Sequence, residues 1–132
     1  MEYNRSKLRE TIMTALYQIS LYEANKMAYT VDGVISELLD IDNEFVKDSV
    51  NGVLSNKEEI DNYANEYLND WDIERLGKTD QAILRLGIYE LLYTDTPDVV
   101  CINEAVELSK QFSDDSVRKM INSVLDKIYN NK

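Results

Sequence analysis

Helix-breaking residues are scarce in this chain. Its 132 residues include one proline, Pro97, and only four glycines. Proline and glycine mark turns, so a β fold with many turns needs more of them than a set of long helices does. The scarcity predicts an all-α fold, and the length predicts one domain over residues 1–132. Hydrophobic residues make up 44% of the chain, which is enough to bury a core.

Apolar residues recur every three or four positions along most of the chain, which is the spacing of helices that bury one face. The pattern predicts six or seven helices joined by short loops. The first expected elements are a helix over residues 5–24 capped by Asn4 or Ser6, a helix after Thr30 and a long acidic helix from Phe45 to Leu68. They are followed by a short turn closing at Gly77, a helix capped by Thr79 that runs to about Thr94, a helix after Pro97 and a last helix capped by Ser113.

The helix that follows Thr79 has apolar residues around most of its circumference. A helix of this kind is expected at the centre of the fold, buried on all sides. Gly87 lies within it and costs roughly 1 kcal/mol of helix stability relative to alanine. We therefore expect another helix to approach closely at Gly87.

The negative charge is concentrated in one segment. The formal net charge is −11, which by itself opposes binding to a phosphate backbone. Residues 32–70 carry eleven acidic residues and two lysines, whereas the first nine residues have a net charge of +2 and residues 110–119 a net charge of +1. We interpret the acidic segment as a solvated helix face. A protein polarised in this way can still present one face that tolerates phosphate.

No catalytic arrangement is visible in the sequence. Cys101 is the only cysteine and there is no histidine, which excludes an intrachain disulfide and a metal cluster of cysteine and histidine. Without a nucleophile motif, phosphate loop or metal-ligand spacing, we expect neither enzymatic activity nor a cofactor. The chain lacks an apolar run of about 18 residues and a signal pattern, so we expect no membrane anchor and a cytoplasmic location. Cys101 lies in an apolar helix and is expected to be buried.

Short motifs occur in a fixed order over about 120 residues. They are Arg9-Glu10, Ala15-Leu16-Tyr17, Gly52-Val53, Ile73 with Leu76-Gly77, Ala82 to Leu86 with Tyr89-Glu90-Leu91, Ile102 to Leu108, and Asn122 with Val124 to Lys127. Any one of them is weak evidence. In this order and at these separations, they resemble the NusB family of transcription antitermination factors.

The resemblance implies a fold of two packed helical subdomains. It also implies a protein that binds the boxA element of leader transcripts, chiefly of ribosomal RNA, jointly with ribosomal protein NusE. The complex would then load onto RNA polymerase and suppress premature termination. Single-stranded RNA of this kind would be held by cations on phosphates, hydrogen bonds to base edges and aromatic stacking. Some family members form homodimers, so the oligomeric state is left open.

The resemblance assigns roles to particular residues. Those expected to bind RNA are Arg5, Lys7, Arg9, Tyr17, Gln81, Lys110, Phe112, Ser116 and Lys119. The first three form the basic N-terminal cluster and would contact phosphate. Asp80 would face the NusE partner, although stabilisation of a helix start explains it equally well. Tyr17 and Phe112 have an alternative role in core or loop packing.

The chain departs from the family pattern in two places. The usual Phe-Val-Asn-Gly is here Met120-Ile121-Asn122-Ser123, which lacks a stacking ring, and the basic cluster is thin. We therefore expect weak RNA binding by the isolated chain and a strong dependence on the partner. An alternative is a NusB-like module for protein interaction that has lost direct RNA binding. A third hypothesis, the appendage of an RNA cytosine methyltransferase, is disfavoured because no cofactor-binding domain accompanies these helices.

Overall fold

The computed structural model describes residues 4–69 and 71–132, and in these ranges the chain forms seven α-helices. They are α1 (Arg5–Ala24), α2 (Val31–Leu38), α3 (Glu44–Ser55), α4 (Lys57–Tyr67), α5 (Lys78–Tyr93), α6 (Asp98–Phe112) and α7 (Asp115–Asn130), with a short 3-10 helix at Ile73–Arg75. The all-α prediction is confirmed. Glu2 and Asp70, which contribute to the segment charges above, lie outside the described residues. None of the helices described is long and apolar enough to cross a membrane.

Helix α5 lies at the centre of the fold, as its apolar circumference predicts. It packs against α1, α3, α4, α6 and α7. Its side chains Ile83, Leu84, Leu86 and Ile88 are almost completely buried. Helices α1, α2 and α3 contact one another, and α7 contacts both α4 and α6, so α5 joins two helical groups. These groups correspond to the two packed subdomains that the resemblance implies.

The close approach expected at Gly87 is confirmed. A β-carbon at this position would lie 3.0 Å from Leu125 Cδ1 and 3.3 Å from the β-carbon of Ala105. Leu125 belongs to α7 and Ala105 to α6, so both helices press against the centre of α5 at the same point. The glycine lets three helices meet closely, which offsets its cost to the helix itself.

The long acidic helix predicted from Phe45 to Leu68 is wrong. The chain leaves the helix at Asn56, whose backbone N–H donates to the carbonyl oxygen of Gly52 at 3.1 Å and whose side-chain amide donates to the same oxygen at 2.8 Å. Helix α3 then packs on α1 and α2, while α4 packs on α7. The apolar spacing continues across the break, so the pattern gave no sign of the change in direction.

The predicted cap Asn4 is confirmed, whereas the predicted caps Thr79 and Ser113 are wrong. Asn4 caps α1 by accepting a hydrogen bond from the Ser6 N–H at 2.7 Å, and Thr30 caps α2. By contrast, Thr79 lies inside α5, which begins at Lys78. Helix α7 is capped by Asp114, whose carboxylate accepts from the Val117 N–H at 2.9 Å, while Ser113 ends α6. Adjacent serine, threonine and aspartate residues are all good caps, so the pattern cannot choose between neighbours.

Candidate nucleic-acid interface

The first turn of α1 presents two cations to solvent. The Lys7 side chain is 75% exposed, and its Nζ lies 3.3 Å from the Glu10 carboxylate. Arg5 is also exposed, and its guanidinium carbon lies 4.3 Å from the centre of the Phe45 ring at the start of α3. This cation–π contact holds the guanidinium in place without neutralising it. Both residues therefore lie where a phosphate can reach them.

Arg9 points into the protein, so the predicted phosphate contact of Arg9 is corrected. Its side chain is 3% exposed, and its Nε and Nη2 donate to the two carboxylate oxygens of Glu90, each at 2.8 Å. Its Nη1 lies 3.3 Å from Glu104. Burial alone would lower the pKa of Arg9, but the hydrogen bonds and charge of Glu90, together with the charge of Glu104, raise it. Arg9 is a buried cation that links α1 to α5 and α6.

Gln81 is also buried, and its predicted role in RNA binding is corrected in the same way. Its Nε2 donates to the carbonyl oxygen of Leu76 at 2.8 Å and to that of Glu74 at 3.2 Å. Its Oε1 accepts from Arg85 at 3.1 Å, and Arg85 forms a bidentate pair with Asp61. The amide of Gln81 therefore holds the turn before α5, and its polar atoms are used within the protein.

The loop between α6 and α7 gathers four of the candidate residues into what we call the α6–α7 edge. It consists of Lys110, Phe112, Ser116 and Lys119, all of which are exposed. The Phe112 ring is 45% exposed, so packing in the loop covers only part of it. The Ser113 hydroxyl donates to the carboxylate of Asp80, which brings the start of α5 to this edge. Asp80, the expected contact of the NusE partner, therefore lies beside the candidate RNA-binding residues.

Tyr17 lies on α1 and is half-buried. It follows Lys7 by ten residues, which is about 15 Å along the helix axis. A groove runs between α1 and α6, and its lining includes the carboxylates of Glu10, Glu104 and Glu107. These charges repel phosphate. The candidate contacts of α1, which are Arg5, Lys7 and Tyr17, do not line this groove.

A second groove, between α4 and α7, was not singled out by the sequence. We call it the Trp71 groove; its cavity has a volume of about 430 Å³, and its described lining is Tyr67, Leu68, Asn69, Trp71, Met120, Ser123, Val124 and Lys127. Trp71 is 54% exposed, and the guanidinium carbon of Arg75 lies 5.7 Å from its ring. The only sign of this groove in the sequence was Trp71 itself, a tryptophan that belongs to none of the apolar helix faces predicted above.

Cys101 is buried, as predicted from its apolar helix. Burial raises the pKa of its thiol to about 12, and the charges of Glu90 and Asp98 act in the same direction. The thiol is therefore protonated at neutral pH, whereas the thiolate is the nucleophilic form. Cys101 lies on α6 and faces the core, near the buried pair of Arg9 and Glu90, as a small core residue does.

Comparison with known proteins gives one consistent match. The model of the NusB family matches residues 6–130. The transcription antitermination protein NusB of Campylobacter jejuni (strain RM1221) is 41% identical over 124 residues, which is 92% of each chain. The structure of T. maritima NusB has a TM-score of 0.84 at 30% identity, covering 97% of this chain and 92% of that one. A crystal structure of the antitermination factors NusB and NusE in complex with dsRNA has a TM-score of 0.81 at 27% identity, covering 97% of both chains.

Proposed function

Because this chain belongs to the NusB family, we propose that it is a transcription antitermination factor that binds RNA together with ribosomal protein NusE. The observation that carries the proposal is the family match over residues 6–130, which includes every candidate site residue except Arg5. The solved structure of NusB and NusE in complex with dsRNA supports it. The proposed RNA is the single-stranded boxA element of ribosomal leader transcripts, which the complex delivers to RNA polymerase. This activity requires recognition without catalysis and implies a cytoplasmic location.

The candidate residues provide the three kinds of contact that single-stranded RNA needs. Arg5 and Lys7 on α1, with Lys110 and Lys119 on the α6–α7 edge, contact phosphates. Tyr17 and Phe112 offer ring faces to the bases, and Ser116 offers a hydroxyl. Asp80 lies next to this edge through its hydrogen bond from Ser113, and there it contacts NusE.

The charge distribution explains why the partner is needed. The chain carries −11 overall, and the groove between α1 and α6 contains three carboxylates close to the exposed cations of α1. Long-range repulsion therefore opposes the local attraction of phosphate. A second protein that contacts both this chain and the RNA adds contacts without adding to this repulsion. We expect the isolated chain to bind RNA weakly and the complex with NusE to bind it tightly.

The alternative function is a NusB-like module for protein interaction that does not contact RNA itself. The burial of Arg9 favours it, because this burial reduces the basic N-terminal cluster to Arg5 and Lys7. In this alternative the chain still binds NusE, but changes of charge on α1 have no effect on RNA affinity.

Charge reversal on α1 separates the two functions. We expect the double substitution Arg5→Glu and Lys7→Glu to weaken RNA binding by the complex with NusE about tenfold, since two phosphate contacts become repulsive. The loss should be smaller at high salt. The measurement is fluorescence anisotropy of a labelled boxA-like strand at two salt concentrations. Both side chains are exposed, so thermal unfolding should be nearly unchanged.

A matched control makes the same change in net charge at two lysines outside the candidate site. Lys26→Glu and Lys57→Glu alter the charge by the same amount. Lys26 follows α1, and Lys57 lines a cavity with Glu23 and Ala24 from the end of that helix. This pair should bind RNA almost as the unchanged protein does. Equal losses in both double variants would mean that net charge, rather than a site on α1, controls the affinity.

A further inference from the structure

The Trp71 groove differs in charge from the acidic grooves of this protein. Among its described lining residues Lys127 is the only one with a formal charge. The groove between α1 and α6, by comparison, is lined by three carboxylates, and a shallow depression at Ser55 to Asn62 by two. A groove lined by aromatic rings and a lysine suits a nucleic-acid strand, even in a chain with a net charge of −11.

The groove continues the face of α7 that begins at the α6–α7 edge. Ser116, Met120, Ser123 and Lys127 follow one another at intervals of four, three and four residues, so they lie on one side of the helix. Ser116 belongs to the α6–α7 edge, and the other three line the Trp71 groove. The stripe is about 16 Å long. A strand that contacts the edge can therefore follow α7 directly into the groove.

Trp71 forms the wall of the groove opposite α7. Its ring is 54% exposed, although tryptophan buries more apolar area than other side chains when it packs in a core. The Arg75 guanidinium lies 5.7 Å from the ring centre, so a cation is held beside the aromatic surface. Tyr67, at the end of α4, lines the same groove. Across from these rings lies Met120, where the NusB family pattern has phenylalanine.

We propose that the Trp71 groove is a second RNA subsite, in which an unpaired base stacks on Trp71 while Lys127 and Arg75 contact the adjoining phosphates. The aromatic surface absent at Met120 is thus supplied from the opposite wall. This inference rests on the proposed function, because it extends the path of the same RNA. The exposed Trp71 ring with Arg75 beside it, together with Lys127 in the groove, favours RNA over a basic protein segment as the occupant.

Trp71 is the only tryptophan of the chain, so its own fluorescence tests the proposal. Titration of the full chain, with and without the NusE partner, with a boxA-like strand should quench the tryptophan emission as the RNA binds. Trp71→Ala should weaken RNA binding by the complex about tenfold, which is the usual scale for loss of one stacked base. Trp71→Phe keeps a ring and should stay within about threefold of the unchanged protein. Lys127→Ala should reduce the dependence of affinity on salt.

The control is Tyr129→Ala. Tyr129 is an exposed aromatic residue on the same helix, but it lies two residues after Lys127 and therefore about 200° around α7 from it. This variant should bind RNA as the unchanged protein does. Trp71, Lys127 and Tyr129 are all exposed and none belongs to the buried core, so all these variants should remain folded, with melting temperatures close to that of the unchanged protein.

The outcomes separate the subsite from the proposed function. If Arg5→Glu with Lys7→Glu weakens RNA binding while Trp71→Ala does not, and emission is unchanged at saturating RNA, the subsite is wrong and the function stands. If the unchanged complex shows no RNA binding, both are wrong. If the NusE partner alone quenches Trp71 and RNA adds nothing, the groove belongs to a protein contact and the subsite is again refuted.

Discussion

Replacing Arg9 by methionine should lower the free energy of unfolding by about 3–5 kcal/mol, the range found when one partner of a buried ion pair is removed. The reason is that Glu90, which is 2% exposed, would stay buried without the two hydrogen bonds that Arg9 donates. Glu104 would lose the same cation. Methionine keeps most of the apolar volume of the side chain, so the decrease in the free energy of unfolding reports the loss of the charged guanidinium. Urea denaturation followed by circular dichroism gives this free energy directly.

Two further variants show whether the buried pair is the cause. Arg5→Met removes an exposed cation from the same helix and should change stability by less than about 1 kcal/mol. Arg9→Met combined with Glu90→Leu removes both charges and should recover most of the loss. Unfolding of Arg9→Met at the same urea concentration as the unchanged protein would contradict the structure, and would again make Arg9 a candidate for RNA contact.

Replacing Gly87 by valine should destabilise the fold by about 3 kcal/mol, at the upper end of the cost of overfilling a core. Even one added carbon would lie 3.0 Å from Leu125 Cδ1 and 3.3 Å from the Ala105 β-carbon, and valine adds two more. Helices α6 and α7 would have to move away from α5. Gly87→Ala should cost much less, because the better helix propensity of alanine offsets most of one tight contact. Thermal and urea unfolding of the two variants give the comparison.

The complementary substitution tests the geometry of this contact. Leu125→Ala alone should cost about 2–5 kcal/mol by leaving a cavity. Combined with Gly87→Val, it should cost clearly less than the sum of the two single changes, since valine then occupies the space that leucine leaves. If the double variant instead loses the full sum of the two single free-energy costs, residues 87 and 125 are not in contact. RNA binding by the folded fraction should be unaffected, because both positions lie inside the fold.

The helices could be predicted from sequence because most of them bury one apolar face. Helix α1 was predicted at residues 5–24, and its described bounds are Arg5–Ala24. The central place of α5 followed from its apolar circumference. The break at Asn56 could not be predicted, because Val53 and Ile60 keep helical spacing on both sides of it. The chain bends there because α3 packs on α1 and α2 whereas α4 packs on α7, and local periodicity contains no information on these contacts.

The candidate site was harder to predict, because residue type does not determine where a side chain points. Arg9 looked like part of a basic cluster, yet it precedes the buried residues Ile12, Met13 and Leu16 by three, four and seven positions. This spacing places Arg9 on the core face of α1 and could have revealed its burial. Its partner Glu90 lies 81 residues away, and sequence alone does not pair them.

The Trp71 groove shows a second limit of sequence reasoning. Trp71 and Met120 are 49 positions apart, and they line one groove only because α4 packs against α7. The loss of a ring at position 120 was visible in the sequence. The aromatic surface opposite to it depends on the path of the chain between α4 and α5. Such a compensation between distant positions becomes visible only with the tertiary structure.

The central claim is that this chain recognises boxA-type RNA jointly with NusE. The most direct test is fluorescence anisotropy with a boxA-like single strand and a scrambled strand of the same composition, each with and without the NusE partner. We predict weak binding by the chain alone and tight binding of the boxA-like strand when NusE is present, with a clear preference over the scrambled strand. Equal binding of the two strands by the complex, or no binding of either, would contradict the proposed function and leave a NusB-like fold that serves protein contacts alone.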